Sequence, residues 1–265
     1  ELKIKEELLN IFNDRKFNEI QNKITKIQKN FPKSIFLLSL LGNVNNELKN
    51  YSEAIINFKK ILKIKPDFSE AHYNLGIIYK NFNQIDKSIN YYNNCININP
   101  KKFEAYNNLG NIYKDKNQIN LAVEKYLQCL EINPNYLIAL QNFGVCLQSY
   151  KFSNQSSIIE KHLLNLLDQN KILRPVDIIK SLIDYIYLDE KFNLTIRNIN
   201  DERENFNLNK LINEFLNIRI LNKLLKITPI TDIGIEKALR YLRCEILINI
   251  SSIKNKQNAI KLIES

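Results

Sequence analysis

Apolar residues recur in the same order along residues 71–134, in two near-copies of one unit separated by 34 residues. Leu75 and Gly76 return as Leu109 and Gly110, and polar residues fill the positions between the apolar ones. The apolar spacing within each copy is typical of helices. A fixed period of this size predicts an array of helical repeats. The other paired positions are Tyr79 and Tyr113, Tyr92 and Tyr126, Cys95 and Cys129, and Pro100 and Pro134.

The same period governs nearly all the glycine and proline in the chain. Of five glycines and six prolines, four of each fall on it. Glycine costs a helix about 1 kcal/mol relative to alanine, so its recurrence at one helical phase indicates a packing reason. We expect it where two helices cross closely, because ridges enter grooves only when backbones can approach. The periodic residues are Gly42, Gly76, Gly110 and Gly144, and Pro32, Pro66, Pro100 and Pro134.

These positions resemble the tetratricopeptide repeat (TPR). The family's pattern reads here as His72, Leu75, Gly76, Tyr79, Ser88, Tyr92, Cys95 and Pro100, and again as Tyr106, Leu109, Gly110, Tyr113, Ala122, Tyr126, Cys129 and Pro134. The resemblance implies an all-α fold, a right-handed TPR superhelix (α-solenoid) over residues 1–168. Its clear repeats are residues 35–68, 69–102 and 103–136. Residues 1–34 are predicted to be a degenerate repeat and residues 137–168 a partial one.

Residues 169–265 are predicted to form a non-repetitive helical C-terminal domain. Pro175 is expected in the first turn of a helix that ends at Ile186. Residues 194–203 are mostly polar, and we expect them to be poorly ordered. Thr231 or Asp232 is expected to cap a helix that continues to about Ile250.

The tail also resembles a helical segment of bacterial TPR proteins that are fused to a methyltransferase. The matching residues are Leu225, Pro229, Asp232, Glu236, Leu239, Arg243 and Leu247. This resemblance implies that the chain is the non-catalytic part of a modular enzyme. The glycines offer no phosphate or cofactor loop, so no cofactor and no catalytic residue are predicted, and whether the parent protein is an enzyme stays open.

The net charge of +10 is spread along the chain rather than gathered in one block. Nucleic-acid binding is therefore not expected. No apolar run is long enough to span a membrane, so a membrane association is not expected either. Because the chain contains no methionine, we expect its natural start to lie upstream. All four cysteines are interpreted as reduced, which favours a cytoplasmic protein. His72 and His162 are assigned structural roles, and no metal site is predicted.

The TPR resemblance implies a concave groove lined by the first helix of each repeat. The candidate peptide-binding residues there are Asn43, Tyr73, Asn74, Ile77, Asn108, Asn111 and Asn142. Asn74, Asn108 and Asn142 are 34 residues apart, and each amide can donate to and accept from the main chain of an extended peptide. The string Asn107–Tyr113 is similar to the Asn-lined repeats of the O-linked N-acetylglucosamine transferases. The alternative is that asparagine is simply abundant throughout this chain.

The sequence thus favours a scaffold that binds a protein or an extended peptide segment in its groove. One alternative is the substrate-recruiting part of a modular transferase, either a methyltransferase or an O-GlcNAc-transferase-like enzyme, whose catalytic domain is not in this chain. Another is self-association through the C-terminal helices. The basic clamp that holds a C-terminal carboxylate in TPR cochaperones is not expected, because Glu70 and Glu104 occupy the groove entrances.

Overall fold

The computed structural model describes residues 2–169, 177–200, 208–227 and 232–248. These residues form helices joined by turns, with no strand among them, which confirms the all-α prediction. The chain divides into two compact units, unit 1 (Glu1–Lys116) and unit 2 (Asn117–Ser265). The helices are α1 (Leu2–Asn13), α2 (Phe17–Gln28), α3 (Ile35–Glu47), α4 (Tyr51–Ile64), α5 (Ser69–Asn81), α6 (Ile85–Ile98), α7 (Phe103–Asp115), α8 (Ile119–Ile132), α9 (Leu137–Leu147), α10 (Ser157–Asp168), α11 (Ile179–Ile186), α12 (Glu190–Asn200), α13 (Leu208–Asn217), α14 (Arg219–Ile227) and α15 (Ile233–Ile248).

Unit 1 consists of the hairpins α1–α2, α3–α4 and α5–α6, followed by α7. Gly42 and Gly76 lie where the two helices of a hairpin touch, as the sequence predicts. A methyl group added to Gly42 would overlap the ring of Phe58, and one added to Gly76 would lie 2.7 Å from the ring of Tyr92. Both rings are buried. Ser88 occupies the small-residue position and donates a hydrogen bond of 2.7 Å to the carbonyl oxygen of Gly76.

A left-handed residue marks the turn that follows the first helix in the first four repeats, namely α1, α3, α5 and α7. Arg15, Lys49, Asn83 and Asn117 have φ angles between 57° and 62°, and successive members are 34 residues apart. Asparagine is among the residues that tolerate this conformation best, whereas arginine and lysine have no such preference. The backbone of residues 1–34 therefore follows the turn geometry of the clear repeats even where the side-chain motif is missing.

Unit 2 begins with α8 and α9 and continues into the non-repetitive tail. Helix α10 packs on α8, α9 and α14, and α15 packs on α12 and α13. The hydroxyl of Tyr185 donates to the carbonyl oxygen of Ser156 over 2.9 Å and accepts from its backbone N–H over 3.0 Å. As predicted, Asp232 caps α15, because its carboxylate accepts a hydrogen bond of 2.8 Å from the backbone N–H of Ile235.

One expectation for the tail is wrong. Residues 194–200 are helical rather than poorly ordered, because they belong to α12. Phe192, Ile196 and Ile199 are buried along one side of this helix, and their spacing of four and three residues gives the polar segment an apolar stripe. Residues 201–203, Pro175, Thr231 and Ile250 lie outside the described residues.

The structure describes the side chains of three of the four cysteines. Cys95, Cys129 and Cys146 are buried free thiols, and burial raises the pKa of the Cys95 thiol to about 11. The side chain of Cys244 lies outside the described residues. None of the helices in the described ranges combines the length and the apolar character that a membrane span requires.

Candidate peptide-binding face

Six of the seven predicted groove residues lie in unit 1, on the first helices of its repeats. Asn43 is on α3, Tyr73, Asn74 and Ile77 are on α5, and Asn108 and Asn111 are on α7. All six are half-buried, and we call the surface that they form the α3–α5–α7 face. The seventh residue, Asn142, is half-buried on α9 in unit 2.

The helical period explains why these residues remain accessible. Helix α5 buries Ala71, Leu75, Ile78 and Tyr79, which are spaced four, three and one residues apart and form one apolar stripe. Asn74 borders this stripe, three residues after Ala71 and four before Ile78, and is half-buried. Tyr73 and Ile77 lie on another side of α5, where both pack partly against the core formed by Leu109, Ile112 and their neighbours.

The amide of Asn108 links three helices of unit 1. Its Nδ2 atom donates hydrogen bonds to the hydroxyl oxygens of Tyr73, over 3.3 Å, and Tyr92, over 3.2 Å. The two rings lie 5.9 Å apart. Burial raises the pKa of both tyrosines, so both hydroxyls stay protonated at neutral pH. Asn108 therefore already has a structural role, and its nitrogen is engaged inside the protein.

Asn74 differs from Asn108 in this respect. Its side chain makes no hydrogen bond with any residue in the described part of the chain, and the same holds for Asn43. Each amide thus offers one acceptor and two donor hydrogens to an incoming ligand. Of the two periodic asparagines in unit 1, Asn74 and Asn108, only Asn74 has a side-chain amide with no hydrogen bond to the described residues.

Lys102 forms an ionic cluster at the start of α7. Its Nζ atom lies 3.1 Å from Oε2 of Glu70 and 3.6 Å from Oε1 of Glu104. It also lies 4.6 Å from the centroid of the Tyr73 ring. Burial opposes the charge of the ammonium group, but the two carboxylates outweigh burial and raise the pKa of Lys102. Sequence reasoning identified both glutamates and missed this lysine, because nothing in the repeat motif marks its position.

Neighbouring first helices are joined by polar contacts with one common spacing. Asn81 donates a hydrogen bond of 3.0 Å to Oδ1 of Asn46, which joins α5 to α3. Lys80 lies 3.9 Å from Asp115 and joins α5 to α7. Both pairs, like Tyr73 and Asn108, are 35 residues apart, one residue more than the repeat. Several polar side chains around the face are therefore paired within the protein and are not available to a ligand.

Across the described residues, those of the face included, no group of three or more His, Cys, Asp or Glu side chains is placed to hold a metal ion. What the face offers is hydrogen-bonding amides beside a half-buried aliphatic side chain, Ile77.

Comparisons with known proteins agree with the repeats. Family models for the tetratricopeptide repeat match residues 69–102 and 103–136, and a TPR repeat model matches residues 42–81. No curated protein matches the sequence at a significant level.

Solved structures of MamA share the fold. One MamA crystal structure is 21% identical, covers 61% of this chain and 93% of its own, and superposes with a TM-score of 0.52. A second, MamA from residue 41 to its end from Desulfovibrio magneticus RS-1, is 17% identical, covers 68% of this chain and 95% of its own, and has a TM-score of 0.50. At these identities the likeness establishes the fold.

Proposed function

We propose that this chain, whose residues 42–136 are tetratricopeptide repeats, binds a partner protein through an extended peptide on the α3–α5–α7 face. The observation that carries this proposal is the open amide of Asn74. It has no hydrogen-bonding partner among the described residues, although polar groups around it are paired within unit 1.

An extended peptide suits such an amide. Main-chain N–H and C=O groups must be hydrogen-bonded when water is excluded, and one asparagine can accept from the first and donate to the second. Asn43 on α3 occupies the position of Ile77 in the preceding repeat and offers a second amide with no hydrogen bond to the described residues. Ile77, one turn after Tyr73 on α5, gives an apolar contact that excludes water. This mode of binding would recognise the main-chain groups of an extended peptide more than the identity of its side chains.

The test is binding of the full chain to an array of immobilised synthetic peptides of varied composition. Losing one hydrogen bond of about 1 kcal/mol weakens binding roughly fivefold, so Asn74→Ala should weaken the strongest interactions by about that factor. Asn94→Ala is the matched control, because Asn94 is exposed on α6 and has no hydrogen bond with the described residues. Equal binding by the wild type and Asn74→Ala would contradict the proposal.

Asn108→Ala is a less direct test. It removes the hydrogen bonds to Tyr73 and Tyr92 and thereby changes unit 1 itself. Both alanine variants should be compared for stability by chemical unfolding before binding is interpreted. Asn74→Ala should unfold at the wild-type denaturant concentration, since it removes no internal hydrogen bond.

The recruiting role in a modular methyltransferase or an O-GlcNAc-transferase-like enzyme stays a prediction. The residues matched by family models end at 136, which leaves the tail resemblance without further support. Self-association through the C-terminal helices and a cytoplasmic location are likewise untested.

A further inference from the structure

An apolar pocket opens between α1, α2 and α3 of unit 1. It has a volume of about 700 Å³, within the roughly 300–1,000 Å³ that is usual for ligand-binding pockets. Its floor includes Leu8 and Leu37, which are buried, and its walls include Ile4 and Phe31, which are 43% and 55% exposed. We call it the α1–α3 pocket.

The rim of this pocket is basic. Lys5 and Lys33 line it, and no acidic side chain is among the described residues that do. Neither lysine forms an ion pair with a described residue. The ammonium group of Lys5 lies 5.8 Å from the centroid of the Phe36 ring, while Glu7 on the same helix is paired with Lys23. The pocket therefore combines apolar walls with two cations that have no counter-charge of their own.

The repeat provides an internal reference for this arrangement. Phe36 occupies the position that Glu70 and Glu104 occupy in the next two repeats, each 34 residues later. Those two glutamates hold Lys102 against Tyr73 at the start of α7. At α1 and α3 no carboxylate is present at that position, so the basic rim is left for the carboxylates of a ligand.

We infer that the α1–α3 pocket binds an acidic segment of a partner protein, with apolar side chains of that segment in the pocket and its carboxylates on Lys5 and Lys33. The inference rests on the proposed function in that the ligand is a peptide, and it adds the chemical class of that peptide. Apolar anchors supply affinity at a concave site, and opposite charge at the rim supplies selectivity and faster association.

The experiment measures fluorescence anisotropy of three labelled peptides titrated with the full chain. The first peptide carries two leucines among aspartates and glutamates, the second has serines in place of the leucines, and the third has lysines in place of the acids. All three end in an amide, so that no terminal carboxylate contributes. The first peptide should bind at least about tenfold more tightly than either of the others, the equivalent of about 1.4 kcal/mol.

Two pairs of charge reversals locate the site. The double variant Lys5→Glu, Lys33→Glu should lower the affinity for the first peptide by about tenfold or more, because two rim cations become anions. Lys60→Glu with Lys63→Glu is the matched control, since both lysines are exposed on α4 and the net charge changes equally. Phe31→Ser should also weaken binding, and because Phe31 is more than half exposed the fold should tolerate this change.

Three outcomes would overturn the inference. Equal binding of the serine peptide would show attraction by charge alone, and equal weakening by the Lys60 and Lys63 pair would place the site elsewhere. Wild-type self-association, detected by light scattering and abolished by Phe31→Ser, would identify the occupant as a second copy of the chain.

Asn74→Ala in the same titration separates the two proposals. If it leaves the affinity for the leucine peptide unchanged while the Lys5 and Lys33 pair lowers it, the pocket stands and the α3–α5–α7 face fails. The reverse result keeps the face and rejects the pocket.

Discussion

The two ends of unit 1 share the backbone geometry of the repeat, but they differ in whether their polar side chains are paired within the protein. Around α5 and α7, Lys102 is held between Glu70 and Glu104, and Asn108 is bonded to two tyrosines. Around α1 and α3, Lys5 and Lys33 have no ionic partner among the described residues and border an apolar pocket.

This difference separates two kinds of position in a repeat. Positions with the 34-residue period set the packing of the α3–α4 and α5–α6 hairpins, and both hairpins keep them. Surface positions vary between repeats. They determine whether the polar side chains of a face pair with one another or remain available to a ligand. A mutation at the first kind of position should cost stability, and one at the second kind should change binding.

The largest expected effect comes from the glycines that both ends share. Gly42→Ala and Gly76→Ala each bring a methyl group against a buried ring. Overpacking costs about 1–3 kcal/mol, partly offset by the roughly 1 kcal/mol by which alanine favours a helix. We expect both variants to lower the free energy of unfolding by about 1–2 kcal/mol in urea titrations. If only one of the two variants lowered the free energy of unfolding, the two hairpins would not share the same close packing at glycine.

A double variant checks the cause. Tyr92→Leu removes the ring that Gly76→Ala would meet, so the alanine should cost less in that background than in the wild type. An unchanged cost would mean that the methyl group is not the source of the strain.

His162 on α10 of unit 2 tests what a polar group costs when it is buried without a hydrogen bond to the described residues. Neither ring nitrogen makes a hydrogen bond within the described residues. Leaving a buried polar atom unpaired costs about 1–3 kcal/mol, so His162→Leu should raise the free energy of unfolding by about 1 kcal/mol near neutral pH.

The stability difference should also depend on pH. Burial, aided by Lys161, lowers the pKa of His162, so the folded protein keeps the ring neutral while the unfolded chain takes up a proton near pH 6.5. The wild type should therefore lose stability as pH falls from about 6.5 towards the folded-state pKa. His162→Leu should lose less over that range. Parallel pH profiles would contradict the buried, neutral assignment.

Lys102 and Lys5 give a direct comparison of paired and unpaired lysines. Lys102→Met keeps much of the aliphatic stem and removes the charge held by Glu70 and Glu104. Such partly exposed ion pairs contribute about 0.2–1 kcal/mol each. The free energy of unfolding of the variant, measured by thermal or chemical unfolding, should therefore be lower by about 0.5–1 kcal/mol. Lys5→Met should lose almost nothing, and high salt should shrink the difference. Equal losses would mean that the two ends do not differ in pairing.

The smallest effect concerns a turn. Lys49 has a φ of 62° where the following repeats have asparagine. Asparagine tolerates this left-handed conformation better than lysine does, so Lys49→Asn should stabilise unit 1 by about 0.5 kcal/mol. Asn83→Lys is the reciprocal control and should destabilise it by a similar amount. Equal melting temperatures for both variants and the wild type would show that the turn conformation carries no cost.

The packing of the repeats could be predicted from sequence because it depends on residue size at a fixed period. Gly76 opposite Tyr92 is such a case, and the cap at Asp232 could be predicted from its residue type. The pairing of side chains between repeats could not. Lys102 meets Glu70 only after the hairpins stack, and neither residue's neighbours in sequence indicate the contact.

Two further features lacked a sequence signal for related reasons. The polar composition of α12 concealed three buried residues, since an apolar stripe needs only one residue per turn. Arg15 and Lys49 adopt left-handed turns without the usual glycine or asparagine, because the hairpin imposes the conformation. In both cases tertiary packing overrides local preference.

The central claim is that a peptide lies on the α3–α5–α7 face. Photo-cross-linking tests it most directly, with a photoreactive amino acid placed at position 74 or, as control, at position 94 of the full chain. With the strongest-binding peptide of the array bound, we predict cross-links from position 74 and none above background from position 94. Cross-links of equal yield at both positions, or none at position 74 under conditions where anisotropy shows binding, would contradict it.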